Sequence, residues 1–400
     1  MSKKVAIGLS GGVDSSVSAK ILKDAGHEVV GLFMKLWFDP TCSVNRENAC
    51  CDDKALLDAR AVADQLGIRL YVVDVRGEFK SEIVDYFVDT YGKLETPNPC
   101  VLCNKKIKFG WMLDFAKKIG CDYVATGHYA RIKDSSQLSI INYQLSINKQ
   151  LENDQLNDNW KLENDNYHLL RGVDDTKDQS YFLHQLDQAQ LSRILLPVGD
   201  MTKVEVRALA KAWVLPVFEK VESQEICFVD DDYRVFLKKY LPASYFESGD
   251  IIDQGGQRVG VHEGLVNYTI GQRRGVNQSI SNSKNSLDNE AHKDKKPLYV
   301  TGFDCGKNQL IVGEETALYK NEMIVDHLNL IILETDIEKL INLTVKIRYR
   351  AKSVICHISK SAISGQYIVR FDEPVRSITP GQSAVFYLGD EVIGGGIIKF

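Results

Sequence analysis

Lys4-Val5-Ala6-Ile7-Gly8-Leu9-Ser10-Gly11-Gly12-Val13-Asp14-Ser15-Ser16 decides how the first part of the chain folds. Val5, Ile7 and Leu9 alternate at the period of a strand. Val17, Ile21 and Leu22 then recur at helical spacing before Gly26, a helix-closing glycine. The glycine-rich turn between the two lets backbone approach an anion, and a helix N-terminus adds unpaired N–H groups and a positive dipole end. Ser10, Ser15 and Ser16 add hydroxyls, and Asp14 offers either an N-cap or a ligand for Mg²⁺. No Gly-Lys-Ser/Thr is present, so this is not a Walker A loop, and no GxGxxG, so it is not a dinucleotide fingerprint. A capped turn without a ligand is the bland alternative, and the specificity of the pattern disfavours it.

Outward from that loop, strand and helix signals alternate. His27–Met34 and Ile68–Val75 read as strands around a helix at Asp53–Leu66. Helices near Glu78–Tyr91 and Lys105–Ile119 precede a strand at Tyr123–Thr126. This order predicts an α/β domain with a parallel sheet and ligands at the carboxyl ends of its strands. Residues 134–167 break the pattern with a repeated Gln-Leu-Ser-Ile and a run dense in Asn, Gln, Asp and Glu. Residues 277–296 are similarly polar, and both read as surface insertions without function. After Pro297 come short alternating runs, Leu298–Phe303, Leu310–Val312, Val345–Tyr349, Tyr367–Phe371, Ala384–Leu388 and Val392–Ile398, which suggest a small β-barrel. The expected domains are 1–227, a small central unit at 228–297, and a barrel at 298–400.

Composition narrows the class further. The chain has 400 residues, 44% hydrophobic and 26% charged, which suits two or three soluble domains. No apolar run of membrane-spanning length occurs, and Met1 to Gly8 is neither a secretory signal nor a transit peptide. A cytoplasmic monomer is expected, with no membrane partner. A net charge of −5 leaves room for a local basic surface, so nucleic acid is not excluded. Nine cysteines, an odd number thinly spread, argue for reduced thiols rather than a disulfide scaffold.

Two cysteines stand in marked contexts. Thr96-Pro97-Asn98-Pro99-Cys100-Val101-Leu102-Cys103-Asn104 is stiffened by two prolines, and Lys105, Lys106 and Lys108 follow on a helix. A helix N-terminus and nearby lysines favour the thiolate of Cys103. Half of a structural zinc site is the alternative, but no second CxxC supplies the other half. Cys227, in Ser223-Gln224-Glu225-Ile226-Cys227-Phe228-Val229, reads by itself as a buried strand cysteine. Cys42, Cys50, Cys51, Cys121, Cys305 and Cys356 carry less context and are taken as structural or incidental.

Ser-Gly-Gly-x-Asp-Ser resembles the PP-loop of the ATP pyrophosphatases, whose fold is the HUP type and which activate a carbonyl oxygen by adenylation. Further segments narrow the resemblance. They are Thr96–Asn104, Ala125-Thr126-Gly127-His128-Tyr129-Ala130-Arg131, Lys177-Asp178-Gln179-Ser180-Tyr181-Phe182-Leu183 and Ser223–Cys227. Tyr268–Gly275, Pro380-Gly381-Gln382 and Gly394-Gly395-Gly396 complete the set. Together they resemble the tRNA-specific 2-thiouridylases, over nearly the whole chain apart from the two polar insertions.

That resemblance implies a chemistry and its residues. ATP, with Mg²⁺, would sit on Gly8, Leu9, Ser10, Gly11, Gly12, Val13, Asp14 and Ser15, with Met34 and Gly127 around the adenosine. The C2 oxygen of the wobble uridine would be adenylated with release of pyrophosphate. A persulfide on Cys227 would deliver sulfur, and Cys103 would release it by disulfide formation or act on freed hydrogen sulfide. Asn98, Pro99 and Cys100 would surround the target base. His128, Lys177, Asp178, Gln179, Arg348, Tyr349 and Gln382 would contact tRNA, and a donor or relay protein would charge Cys227. Cys100 stands where some members carry Asp, which removes a general base for Cys103. Three thiolates, Cys100, Cys103 and Cys227, give the alternative of an Fe–S cluster with one open iron. No other metal site is expected.

Lys346, Arg348, Arg350 and Lys352 alternate with Val345, Ile347, Tyr349 and Ala351. At strand period the four cations share one face, suited to phosphates or simply to water. Another adenylating ligase with the same loop, or a non-catalytic tRNA-binding protein, are the competing readings. The paired cysteines weigh against the first and the intact loop against the second.

Overall fold

The computed structural model describes residues 2–39, 53–135, 167–221, 226–229, 232–276, 296–332 and 336–399. Cys42, Cys50, Cys51, Ser223–Glu225 and nearly all of both polar insertions lie outside them. No helix among the described residues is long and apolar enough to cross a membrane.

The N-terminal unit is built on strands β1 (Lys4–Gly8), β2 (Glu28–Lys35), β3 (Leu70–Asp74) and β4 (Tyr123–Ala125). A hairpin, β5 (Ala130–Asp134) and β6 (Tyr167–Arg171), leads to β7 (Ile194–Leu195). The sheet runs β3-β2-β1-β4-β7, every pair parallel. Its strands are apolar on both faces because helices cover both. Val5 and Ile7 face the helices Val13–Asp24 and Asp53–Leu66, while Ala6 and Leu32 face Phe109, Met112 and Leu113. The chain leaves β1 for β2 and β3 on one side and returns to β4 on the other. The crevice of this parallel sheet therefore opens at the carboxyl end of β1, where Gly8 begins the loop.

Two helices differ from the sequence expectation. Arg76–Phe79, Lys80–Val84 and Asp85–Gly92 run on as one helix with a π-helical middle. Pro99–Cys103, Asn104–Trp111 and Met112–Lys118 do the same. Cys103 is thus not ahead of the helix but one turn inside it, because Pro99 starts the helix, its missing N–H costing nothing there.

The middle unit holds β8 (Gly249–Asp253), β9 (Arg258–His262), β10 (Tyr299–Asp304) and β11 (Gln309–Gly313), in the order β10-β11-β8-β9. The two strands expected at 298–303 and 310–312 belong here, so the expected division at 297/298 falls inside this sheet. Alternation alone does not say which sheet a strand joins; β11 pairs parallel to β8, across about sixty intervening residues.

Six further strands close a barrel: β12 (Tyr319–Leu330), β13 (Thr344–Lys346), β14 (Val354–Lys360), β15 (Gln366–Arg376), β16 (Ser383–Leu388) and β17 (Glu391–Lys399). Their order is β12-β15-β14-β13-β16-β17, and β17 returns to β12, so the sheet has no free edge within the ring. Gly394 and Gly396 permit that closure: a Cβ would stand 2.1 Å from the Asn329 carbonyl and 2.5 Å from that of Asp326. The β5–β6 hairpin adds to β17 through the Glu391–Leu170 pair. There His168 Nδ1 meets Glu391 Oε1 at 2.6 Å, both side chains buried. The barrel is thereby fixed to the N-terminal unit.

Candidate active site

The loop after β1 is held from three sides. Gly11 has a φ of +68°, and a Cβ there would lie 2.4 Å from the Ala55 carbonyl, so the loop rests directly on the second helix. The hydroxyls of Ser15 and Ser16 donate to the Gly12 carbonyl at 3.1 and 2.8 Å. Gly127 lies against the far side, where a Cβ would stand 2.7 Å from the backbone of Asp14 and Ser15.

Asp14 does not cap the helix. Gly12 occupies the N-cap position without a side-chain bond, and Asp14 sits in the first turn. Its carboxylate instead accepts from Lys203 Nζ at 2.7 and 2.8 Å and from the Tyr129 hydroxyl at 2.7 Å. Lys220 Nζ donates to the Gly11 carbonyl at 3.0 Å and to Asp58 at 2.6 Å. A Mg²⁺ ion arriving with a nucleotide would find Asp14 already partnered.

A cleft of about 1370 Å³ runs from Ser10, Gly12, Val13 and Asp14 to the barrel. Arg171, Lys177, Lys203, Lys220, Lys346, Arg348, Arg350 and Lys352 line it, against the carboxylates Asp14, Asp175 and Asp178. Burial and the neighbouring Arg171 lower the Lys346 pKa, and burial with Arg376 lowers that of Arg348. Cations crowded in this way are relieved by an anion. The strand expected through Tyr349 stops at Lys346; the chain turns, with the Ala351 N–H on the Arg348 carbonyl. The four cations of residues 346–352 meet in the cleft through that turn rather than through strand alternation.

The other nominated residues lie as follows. Lys177 and Gln179 line the cleft, and Gln179 accepts from the Tyr129 N–H at 2.9 Å. Asp178 is buried and accepts from the N–H groups of Gly172 and Ser180, which fixes the loop between its neighbours. His128 is buried against Thr126 and Phe109, and burial followed by Lys108 drives its pKa well down, keeping the ring neutral. Tyr349 packs on Phe182 with ring centroids 4.6 Å apart. Gln382 donates to the carbonyls of Thr96 and Pro97. Met34, on β2, packs at the junction of two apolar clusters.

Cys103 and Cys227 both pack on one apolar cluster. Cys103 is buried in a cluster with Phe79, Phe87, Ile107, Phe228 and Phe236, and Cys227 packs on the same cluster. Phe228 carries Cys227 there, with its ring centroid 5.7 Å from Phe79, 5.3 Å from Phe87 and 5.7 Å from Phe236. Cys227 itself is half-buried in a turn, not in the strand its neighbours suggested. Beyond Cys103 the π-helical turn is supported by Gln190, whose amide donates to the carbonyls of Lys105 and Phe109 at 3.2 and 2.8 Å. Asn98 contacts the hydroxyl of Tyr181, itself buried under the barrel. Cys100 is exposed, whereas Cys103 is buried. Among the described residues no group of three or more His, Cys, Asp or Glu side chains is placed to hold a metal ion, so the thiols do not fit a cluster.

Sequence reading missed Arg171, Lys203 and Lys220. Only the fold brings Lys203 and Lys220 to the loop and Arg171 to the cleft.

Three sequence profiles match the chain: the tRNA methyl transferase HUP domain at residues 3–231, its PRC-barrel domain at 234–314, and the aminomethyltransferase beta-barrel domain at 320–398. The chain is 42% identical to tRNA-specific 2-thiouridylase MnmA 1 of Caldanaerobacter subterraneus subsp. tengcongensis, over 100% of this chain and 98% of the relative. It is also 42% identical to tRNA-specific 2-thiouridylase MnmA of Clostridioides difficile, over 100% and 99%. With the corresponding protein of Clostridium acetobutylicum it shares 39% identity over the full length of both.

Proposed function

The chain belongs to the tRNA-specific 2-thiouridylase family, and from that premise we propose how its own residues carry out ATP-dependent 2-thiolation of a tRNA wobble uridine. The observation that carries the reading is one continuous cleft joining the loop after β1 to the cations of the barrel. Phosphate contacts of that kind position an RNA without reading its sequence.

ATP, entering with Mg²⁺ as its counter-ion, lies on Gly8 to Ser15 with its adenosine between Met34 and Gly127. The anticodon arm follows Lys177, Gln179 and Lys346 to Lys352. A base turned out of its stack reaches the wall formed by Asn98, Pro99 and Cys100. Its C2 oxygen attacks the α-phosphorus and pyrophosphate leaves, which turns a poor leaving group into AMP. The terminal sulfur of a Cys227 persulfide attacks C2. The Cys103 thiolate then attacks the inner sulfur of Cys227, the S–S bond breaks, and its electron pair stays with the sulfur on the base. AMP departs, 2-thiouridine remains, and a thiol reductant returns the Cys103–Cys227 disulfide to two thiols. The shared aromatic cluster supports the last sulfur exchange, because both thiols belong to one packed unit.

The test is pyrophosphate release from ATP with and without under-modified tRNA. Release that depends on tRNA, with AMP formed in equal amount, is the expected result. Release indifferent to tRNA overturns the assignment of the substrate.

A further inference from the structure

Each turnover of the reaction proposed above leaves Cys103 and Cys227 joined, and neither sulfur is then well placed to meet a reductant. Cys103 is only 8% exposed and belongs to the cluster of Phe79, Phe87, Ile107 and Phe228. A thiol attacking the half-buried Cys227 from solvent would leave a mixed disulfide on the sulfur that must next be charged. Attack at Cys103 instead frees Cys227 directly, but it has to come from within the protein.

Cys100 is the remaining thiol of this segment, and it forms a Cys-x-x-Cys pair with Cys103. Pro99 starts the helix, and the Asn104 N–H donates to the Cys100 carbonyl, so the turn between the two cysteines is closed. Residues three apart on an α-helix lie on one face. Their Cα atoms are about 5 Å apart, within the span of roughly 4.4–6.8 Å that a disulfide bridges. The two ends of this turn differ in access: Cys100 is exposed and Cys103 is buried. One helical turn therefore leads from the aromatic cluster to solvent. Cys100 stands in the first turn of the helix, a position that favours the thiolate on which exchange depends.

We propose that Cys100 is the resolving thiol, which reopens the Cys103–Cys227 disulfide and carries the oxidation to the surface. This rests on the persulfide reading above. The Cys100 thiolate attacks the Cys103 sulfur, the S–S bond to Cys227 breaks, and its electron pair leaves on Cys227. Cys227 is then a thiolate ready for the next sulfur, and the oxidation is held as a Cys100–Cys103 disulfide. A dithiol reductant attacks the exposed Cys100 sulfur and displaces the Cys103 thiolate. Its second thiol closes the reductant's own disulfide and releases Cys100, so two electrons enter and all three thiols are restored.

The experiment maps the disulfide left by turnover in full-length wild type and in Cys100→Ala. Each protein is charged by a cysteine desulfurase with cysteine, desalted, and given ATP, Mg²⁺ and under-modified tRNA without reductant. Acid quenching, N-ethylmaleimide and non-reducing peptide mass spectrometry then read the cysteines. The expected result is a Cys100–Cys103 disulfide with Cys227 alkylated in wild type, and a Cys103–Cys227 disulfide in the variant. Dithiothreitol should then reduce the wild type about tenfold or more faster than the variant. Should the variant not turn over, diamide supplies its disulfide for the rate comparison, and the wild-type map still decides. A Cys103–Cys227 disulfide with Cys100 alkylated in wild type, or equal reduction rates, overturns the proposal and leaves the persulfide reading standing. If 2-thiouridine forms and neither protein holds a disulfide among these cysteines, the persulfide reading falls and the proposal with it.

Discussion

Gln382 donates its side-chain amide to the Pro97 carbonyl at 3.1 Å, tying the barrel to the segment that leads into Cys103. The same amide reaches the Thr96 carbonyl at 3.1 Å, and the Thr96 N–H donates to the Pro380 carbonyl at 2.8 Å. Lys399 adds an ion pair to Glu95 at 2.6 Å. The unit proposed to grip tRNA is thus the one that sets the wall of the base pocket.

Breaking this tie should act on catalysis more than on folding. Gly381 has a φ of +85°, and a Cβ there would lie 2.8 Å from the backbone of Thr96. Gly381→Ala should cost about 1–3 kcal/mol of stability and shift the segment Thr96–Pro99. Gln382→Ala keeps the backbone, so its thiolation rate should fall at least tenfold while its unfolding midpoint moves by only a few degrees. An unchanged rate in Gln382→Ala contradicts the coupling.

Gly127 makes the loop's most exacting contact on the β4 side. A Cβ would meet backbone atoms of Asp14 and Ser15 at 2.7 Å, and neither can rotate away as a side-chain end can. Gly127→Ala should therefore displace the loop and weaken ATP binding by an order of magnitude or more. Calorimetric titration checks this, and wild-type affinity in the variant would show that the loop tolerates the shift.

Thiols outside the site should differ sharply in reactivity. Cys305 is exposed, whereas Cys356 is buried and its thiol is pushed up to about 12, first by burial and then by Asp372. Burial also raises Cys121, against the lowering effect of Lys4. Iodoacetamide at pH 8 should label Cys305 within minutes and leave Cys121 and Cys356 intact until urea unfolds the chain. Peptide mass spectrometry reads the result; early labelling of Cys356 would contradict the barrel packing.

Two buried histidines should make folding acid-sensitive. Burial lowers His184 to about 3, and His128 is also driven well below its ordinary value of 6.5. Both are neutral when folded, while the unfolded chain takes up protons near pH 6.5. Their stabilising effect is thus complete above that pH and declines as pH falls toward the folded values. Each group removes about 1.4 kcal/mol per pH unit at most. Urea midpoints between pH 7 and 5 should fall less steeply in His184→Leu than in wild type. Equal slopes would mean that His184 is not buried neutral.

Much of this was legible in the sequence because it is local. The loop from Gly8 to Ser16, the helix Asp53–Leu66 and the proline-braced cysteine segment each declare themselves within a dozen residues. What stayed hidden depends on pairing over long separations. Strand β10 reads like a barrel strand and yet joins β11 and, through it, β8 in the middle sheet. Tyr319–Leu330 lacks the clean alternation that would mark it, since it changes register against both of its neighbours. Lys203 looks like any capped-helix lysine until the parallel sheet carries its helix to Asp14. Arg171 likewise becomes part of the cleft only when β17 adds to β6.

The central claim is sulfur transfer to tRNA through Cys227, and mass spectrometry of tRNA nucleosides tests it most directly. Wild type and Cys227→Ser are incubated with ATP, Mg²⁺, a sulfur donor and under-modified tRNA. The account predicts 2-thiouridine with wild type alone, while both proteins release pyrophosphate. Equal 2-thiouridine from both would contradict the persulfide role of Cys227, and none from either, with ATP still cleaved in the presence of tRNA, would contradict thiolation itself.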